Sequence, residues 1–426
     1  MKIDELAQPL QRPYTKSRGC GIVRSQRSEY QHIPFLVPPA PPRDVPAGLS
    51  VARIAEANAT LVRRPSPERA DDRDRLVAYL SARREAVASS RMEGTWTTID
   101  SVLSPGDAMD DREARSERMS VRAYAVALEE ATEEVWEAGL AALTRDLVCR
   151  MHERVMSRDP SFRGIAGRIR QPGTAGDIVQ IGGFPRKEAA IFNPPLPEYV
   201  GLCLDDVMAW LRDEELVELG DAGMGMALPV RMAVGHSHFE AVHPFSDGNG
   251  RVGRMLWPLQ MLAAGHLPLY ISGYIEENTA AYSRALQAAQ KQLDYSGIVA
   301  FVCEAVIASS ADEDATRTAI TFLPEIWRQR GRFRRKSSPD RALGVLMRLP
   351  IITARQLSKE LGVSFQAAST ALKSLETAGI VRERTGYGRN RVFAAEEVVA
   401  LLSRPFGQDP AIALEGGRDV LGASDT

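Results

Sequence analysis

The chain has 426 residues, 44% hydrophobic and 25% charged, with a formal net charge of −2. That balance suits a globular protein of two or three domains and excludes a global field drawing it to nucleic acid or acidic lipid. The four cysteines (Cys20, Cys149, Cys203, Cys303) lie far apart with no CxxC spacing, which argues against a zinc site or a disulfide framework.

Residues 1–31 lack periodicity and read as a loose arm, with neither a basic start nor an apolar run to mark a signal peptide. Six prolines between His32 and Gly48 predict an extended segment. Helical patterning follows at Leu49–Arg63 and Arg73–Glu93, then at Met109–Gly139 and Leu140–Met156. Glycines punctuate 163–197 and predict a loop or hairpin with a β-like piece at Asp177–Ile181. Helices return at Glu198–Leu219, Leu228–Ala241, Val252–Ala264, Asn278–Gln292 and Ser296–Leu323, the last stopped by Pro324. The most apolar stretch, Ile298–Ala308, is interrupted by Glu304 and is too short to span a bilayer. No membrane partner and a reducing cytoplasm are therefore expected.

Beyond Pro339 the pattern changes. Arg341–Arg348 is helical, and Thr353 caps a helix that ends at Gly362. Ser364 caps Phe365–Ala378, and strands at Ile380–Arg384 and Asn390–Ala394 flank a Thr-Gly-Tyr-Gly turn. This order is that of a winged helix. Its helix Phe365–Ala378 carries Gln366, Ser369, Thr370, Lys373 and Ser374. Its hairpin carries Arg382, Arg384, Arg389 and Arg391, and a basic linker runs over Arg328–Lys336. These groups could contact DNA phosphates, or the module could bind protein.

Three of the six histidines fall in one window: His236, His238 and His243. Residues at i and i+2 diverge on a helix and no HExxH spacing exists, which disfavours zinc. Pro244 places His243 at a helix end facing the next loop. Asp247 is a hard oxygen ligand suited to Mg²⁺. Gly248, Asn249 and Gly250 let backbone N–H groups converge where a new helix begins, an anion cradle for phosphates. Arg251 and Arg254 lie three apart near that helix start and oppose its dipole, which a polyphosphate would compensate.

The run His243-Pro-Phe-Ser-Asp-Gly-Asn-Gly-Arg-Val-Gly-Arg254 resembles the signature HPFxDGNGRxxR of the Fic family at every defined position. The resemblance covers about Pro34 to Ala308. It implies a mainly α protein: a Fic helical fold with a β-hairpin flap, plus an α+β winged-helix domain. It also implies a protein adenylyltransferase that moves AMP from ATP, with Mg²⁺, onto a Ser, Thr or Tyr hydroxyl of a protein, itself included. His243 would then be the general base and Asp247 the Mg²⁺ ligand at the α- and β-phosphates. Gly248, Asn249 and Gly250 would form the anion hole. Arg251 would meet the β-phosphate and Arg254 the γ-phosphate, with Ser246 and Gly253 in the same nucleotide-binding run. Phe245 would anchor the loop, while His236 and His238 would be structural.

Residues around Gln180-Ile181-Gly182-Gly183 resemble the family flap, which pairs with the target backbone as an added strand. Tyr282 resembles the tyrosine beside the adenine. Ser283 stands where many relatives have a second tyrosine, and Gln290 where some have asparagine. Ser89-Ser-Arg-Met-Glu93-Gly94 resembles the family's inhibitory pattern (S/T)xxxE(G/N), with Ser89 and Glu93 on one helix face. Arg254 would be the cation for Glu93, making the brake act within one chain.

The implied division is an N-terminal region at 1–108 with the inhibitory helix at about 73–94, and a catalytic domain at 109–310. A basic linker at 311–338, a winged helix at 339–405 and a disordered tail at 406–426 follow. Removal of AMP and a DNA-binding regulator with a nucleotide-sensing Fic domain are the alternative activities. The family also leaves a homodimer open.

Overall fold

The computed structural model describes residues 1–104, 112–174, 176–182, 186–221, 226–385 and 391–414. In chain order the elements are β1 (Gly21–Arg24), β2 (Pro34–Val37), α1 (Val51–Val62), α2 (Asp72–Met92), α3 (Ile99–Leu103) and α4 (Arg112–Ala138). Then come α5 (Arg145–Met156), α6 (Pro197–Leu211), α7 (Glu214–Asp221), α8 (Leu228–Val242), α9 (Asn249–Ala263), α10 (Ser272–Glu277), α11 (Thr279–Gln292) and α12 (Ser296–Gly331). The chain ends with α13 (Ser338–Arg348), β3 (Ile351–Thr353), α14 (Ala354–Leu361), α15 (Phe365–Thr377), β4 (Arg382–Glu383), β5 (Val392–Ala394) and α16 (Glu396–Ser403). Among the described residues, no helix is long and apolar enough to cross a membrane.

Two compact units emerge, and they do not follow chain order. The first joins residues 1–69 to 123–307, and the second joins 70–122 to 308–426. The first unit is built around α8, which is buried at every residue. Helices α1, α6, α9 and α11 pack on it. The arm expected to be loose is folded into this unit. β1 and β2 pair antiparallel in the register Gly21↔Val37 to Arg24↔Pro34. Leu6, Leu10, Cys20 and Leu36 form one cluster with Phe192 and Ala241. An arm without periodicity can still be ordered when scattered apolar side chains each find a tertiary slot.

In the second unit α13, β3, α14, α15, β4 and β5 make the winged helix, with sheet order β3-β5-β4. Its caps are where the sequence puts them. Thr353 and Gln356 form a capping box, Gly362 ends α14 at φ +64°, and Ser364 Oγ accepts from the Ala367 amide. β3 was not foreseen because three residues are too few to show alternation. The hairpin turn, including Arg389, lies outside the described residues.

The helix α2 belongs to this same unit and packs on α3, α13 and α16. It starts with a capping box in which Asp71 accepts from the Asp74 amide and Asp74 from the Asp71 amide. α12 runs through Pro324 instead of stopping there. A proline inside a helix costs about 3 kcal/mol; burial of Leu323 and Trp327 on the turns around it offsets that. Trp327 Nε1 also donates to Glu397 Oε2 at 2.6 Å.

The segment expected as a disordered tail is ordered as far as Leu414, and only residues 415–426 fall outside the described ones. Gly407 N–H donates to Asp312 Oδ1 at 3.0 Å, and Ala411 and Leu414 are buried. Asp312 also takes Arg84 at 2.8 Å and Arg404 at 2.7 Å. One buried carboxylate thus ties α2, α12 and the segment after α16 together. Removing it strands two arginines, one of them fully buried. Asp312→Ala is expected to destabilise this unit by about 3–5 kcal/mol, read as a lower urea midpoint in equilibrium unfolding.

Candidate active site

The site is assembled in the first unit from the end of α8, the loop after it and the start of α9. Pro244 ends α8, and His243 takes the left-handed conformation (φ 47°, ψ 64°). A residue with a Cβ adopts this conformation at a cost, so the surroundings must hold it. The hold is Arg170. Its guanidinium donates to the carbonyls of His243 (2.9 Å), Val242 (3.1 Å), Asp177 (3.0 Å) and Pro195 (2.9 Å). Its own amide donates to Pro244 O at 2.8 Å. Burial lowers its pKa to about 9, so it remains a cation at neutral pH. The imidazole of His243 is partly exposed, with Nδ1 3.8 Å from Glu240 Oε2.

The loop is braced from inside. Asn249 Oδ1 accepts from the Phe245 amide (2.8 Å) while its Nδ2 donates to Phe245 O (2.9 Å). The side chain of Asn249 is therefore a strut across the turn. Phe245 is fully buried, as an anchor should be. Gly248 sits at φ +76°, and a Cβ there would lie 2.5 Å from Met156 Sδ, so only glycine fits. Asp247 is exposed, and its Oδ1 accepts from the Gly248 amide at 2.6 Å. Ser246 is turned toward Gly164 and Gly176. There it borders a cleft lined by Ile165, Arg168, Ile169, Arg170 and Thr174.

Arg251 and Arg254 are both buried on the first turns of α9. Arg251 Nη1 pairs with Asp159 Oδ2 at 2.8 Å, yet its Nε is buried with no hydrogen-bond partner among the described residues. A buried donor left over on the first turn of a helix fits a phosphate oxygen. Among the described residues no cluster of three or more His, Cys, Asp or Glu could hold a metal. Mg²⁺ needs no such cluster, since it takes one or two carboxylates together with substrate phosphates. Asp247 can supply that carboxylate.

His236 and His238 are buried and engaged. His236 Nδ1 lies 3.2 Å from Gly253 O and Nε2 lies 2.6 Å from Tyr282 Oη. A carbonyl only accepts, so Nδ1 carries the proton and Nε2 accepts from the tyrosine. Tyr282 is buried, and this histidine links it to Gly253 on α9. His238 Nε2 meets Tyr295 Oη at 2.8 Å. Gln290 borders a different cleft, with Pro38, Pro39 and Leu293. Ile181, in the segment expected as a flap, makes one antiparallel bridge, with Phe192, and Gly182 follows at φ +70°. Gly183 lies outside the described residues. Ser89 and Glu93 stand in the second unit, where Ser89 is fully buried and Glu93 is exposed as the C-cap of α2.

Sequence reasoning missed His152, Asp159 and Arg170. His152 left a signal: it is a single polar residue on the apolar face Leu147, Val148, Met151, Val155 of α5. Arg170 and Asp159 left none, since their partners are distant in sequence.

Residues 142–261 match the Fic/DOC family, residues 51–133 its N-terminal region, and residues 341–389 the MarR family. The chain is similar to protein adenylyltransferase fic-1 of Caenorhabditis elegans, 33% identical over 145 residues, covering 34% of this chain and 23% of that protein. A probable protein adenylyltransferase of Aquifex aeolicus is 32% identical over 118 residues, 26% of this chain and 34% of that one. The chain thus spans 23% to 34% of the lengths of these relatives. It also resembles the crystal structure of a Fic family protein from Desulfovibrio desulfuricans, with a TM-score of 0.49 and 21% identity, covering 83% of this chain and 98% of that one.

Burial lowers the pKa of His152 to about 4, of His236 to about 3 and of His238 to about 4. Unfolding lets each ring titrate near 6.5. The unfolded chain then binds more protons between those limits, so stability is full above about pH 6.5 and falls as pH drops. Three such groups give a slope approaching about 4 kcal/mol per pH unit near pH 5. Urea unfolding of the protein between pH 7.5 and 4.5 should show this decline, and His238→Gln should reduce its steepness.

Proposed function

Starting from a chain that carries the Fic/DOC domain together with the family's N-terminal region, we propose that it transfers AMP from ATP to a Ser, Thr or Tyr hydroxyl of a protein. The observation that carries this reading is the turn at Gly248. There a partly exposed imidazole, an exposed carboxylate and the buried guanidinium of Arg251, whose Nε–H has no partner among the described residues, gather at the start of one helix.

The target hydroxyl oxygen attacks the α-phosphorus, His243 takes its proton, and pyrophosphate leaves as the new phosphoester forms. A neutral imidazole suits this task near physiological pH. Backbone amides at the start of α9 cradle the phosphates, with Arg251 on the β-phosphate and Arg254 on the γ-phosphate. Asp247 would hold Mg²⁺, which neutralises phosphate charge. Ile181 and Gly182 would offer the flap strand to the target backbone, and Tyr282 would flank the adenine side. Ser89 and Glu93 would act as the brake, as the inhibitory pattern they resemble implies: a carboxylate at a helix C-terminus is unfavourable there and needs a compensating cation.

A DNA contact through the winged helix is a second reading, supported by the match to the MarR family. Its phosphate contacts would fall to the exposed Arg332, Arg334, Arg335, Lys336, Lys373 and Arg382. Arg384 is already paired with Asp100 and Glu396, and Arg330 with Glu397.

Incubation with α-labelled ATP and Mg²⁺ tests the main reading. Glu93→Gly should raise protein labelling roughly tenfold or more over the unchanged chain. His243→Ala added to it should lower labelling by about 10²–10⁴. Equal labelling with and without Glu93 removes the brake. Full labelling without His243 removes the transfer mechanism.

A further inference from the structure

The residues that shape the turn at Gly248 come from one helical face outside the signature run. His152 and Met156 lie one turn apart on α5, and Asp159 follows just beyond its end. Met156 presses on Gly248, and Asp159 holds Arg251. His152 is fully buried, and its Nδ1 accepts from the Gly167 amide at 2.8 Å. Its Nε2 lies 3.0 Å from Asp247 O. An acceptor Nδ1 puts the ring proton on Nε2, so His152 donates to that carbonyl. The ring stacks on Phe245 with centroids 3.8 Å apart and planes 6° apart, and meets Phe162 edge-on at 5.6 Å.

The peptide that His152 grips joins Asp247 to Gly248. Glycine at 248 tolerates both orientations of that peptide, because it lacks the Cβ that would forbid one. Flipping it exchanges carbonyl for N–H and turns the Gly248 amide away from Asp247 Oδ1, to which it donates at 2.6 Å. A donor fixed on the carbonyl side prevents this. The donor is itself fixed, by the Gly167 amide behind it and the Phe245 ring beside it. The Gly167 amide on one side and the Asp247 carbonyl on the other hold the ring in one tautomer.

We propose that His152 is a positioning residue that locks the Asp247–Gly248 peptide so that the turn presents its amides to a nucleoside triphosphate. This rests on the phosphate-binding reading of the same turn. The alternative is an aromatic filler with no polar role.

Three substitutions in the full chain carrying Glu93→Gly separate the two. His152→Phe keeps the ring and loses both hydrogen bonds. His152→Gln keeps a donor where Nε2 stands, and His152→Asn keeps an acceptor where Nδ1 stands. The readouts are binding of a fluorescent ATP analogue with Mg²⁺, and KM for ATP against kcat for labelling. Phe and Asn are expected to weaken binding and raise KM by roughly tenfold to a hundredfold, while Gln restores affinity to within about threefold. Nitrogen shifts of the His152 ring should report the Nε2–H tautomer.

Unaltered ATP binding by His152→Phe, equal binding by Gln and Asn, or an Nδ1–H ring would overturn the proposal. If His152→Phe fails to fold by circular dichroism, the Gln and Asn pair decides. Binding that follows the predicted order with no labelling by any variant would retain His152 and reject AMP transfer. Normal labelling with flat binding would do the reverse.

Discussion

One cation holds the first unit's chemistry in place. The end of α8 leaves carbonyls that no further helical turn can satisfy, because Pro244 has no N–H to offer. Arg170 takes two of them and two more from Asp177 and Pro195. Burying a guanidinium is costly, and four carbonyl acceptors are what make it tolerable. The consequence is geometric. The left-handed backbone of His243 and the backbone at Asp177 and Pro195 are fixed by the same planar group.

The contribution of α5 is of the same kind. A glycine turn is permissive by nature, and permissiveness alone would give a floppy loop. Here the turn is clamped from three directions: Asn249 spans it, Met156 presses on Gly248, and His152 takes the Asp247 carbonyl. The freedom glycine provides is used for close approach and then removed by packing. The second unit shows a parallel economy, since Asp312 gathers α2, α12 and the segment after α16 onto one buried carboxylate. The helix bearing Ser89 and Glu93 is thereby part of the winged-helix unit, though it precedes the first unit's signature run by about 150 residues of sequence.

What could be read from the sequence was whatever is local. His243 through Arg254 is a contiguous run whose chemistry depends on neighbours, and the caps Thr353, Gly362 and Ser364 act within four residues of themselves. The supports were not legible. Arg170 reaches His243 across 73 residues and Asp159 reaches Arg251 across 92. A sequence shows neither partner. Pro324 misled because its local cost is real, while the burial of Leu323 and Trp327 that outweighs it is tertiary. The arm at 1–31 misled for the opposite reason: it has no local signal, and Leu6 and Leu10 are ordered only by Phe192 and Ala241.

The charge balance of α9 explains why such a loop calls for an anion. A helix N-terminus carries unsatisfied N–H groups and a partial positive charge. Capping side chains usually answer both, but here the N-cap is Gly248, which has none, and Asn249 is turned back on Phe245. Two arginines are then buried on the first turns, adding positive charge where the dipole already places it. Asp159 balances one nitrogen of Arg251 and leaves Nε without a hydrogen-bond partner among the described residues. Nothing about packing alone requires this concentration of donors; hydrophobic residues of similar volume would fold more readily. An anion placed at this helix start would give the Arg251 Nε–H an acceptor and balance the positive charge gathered there.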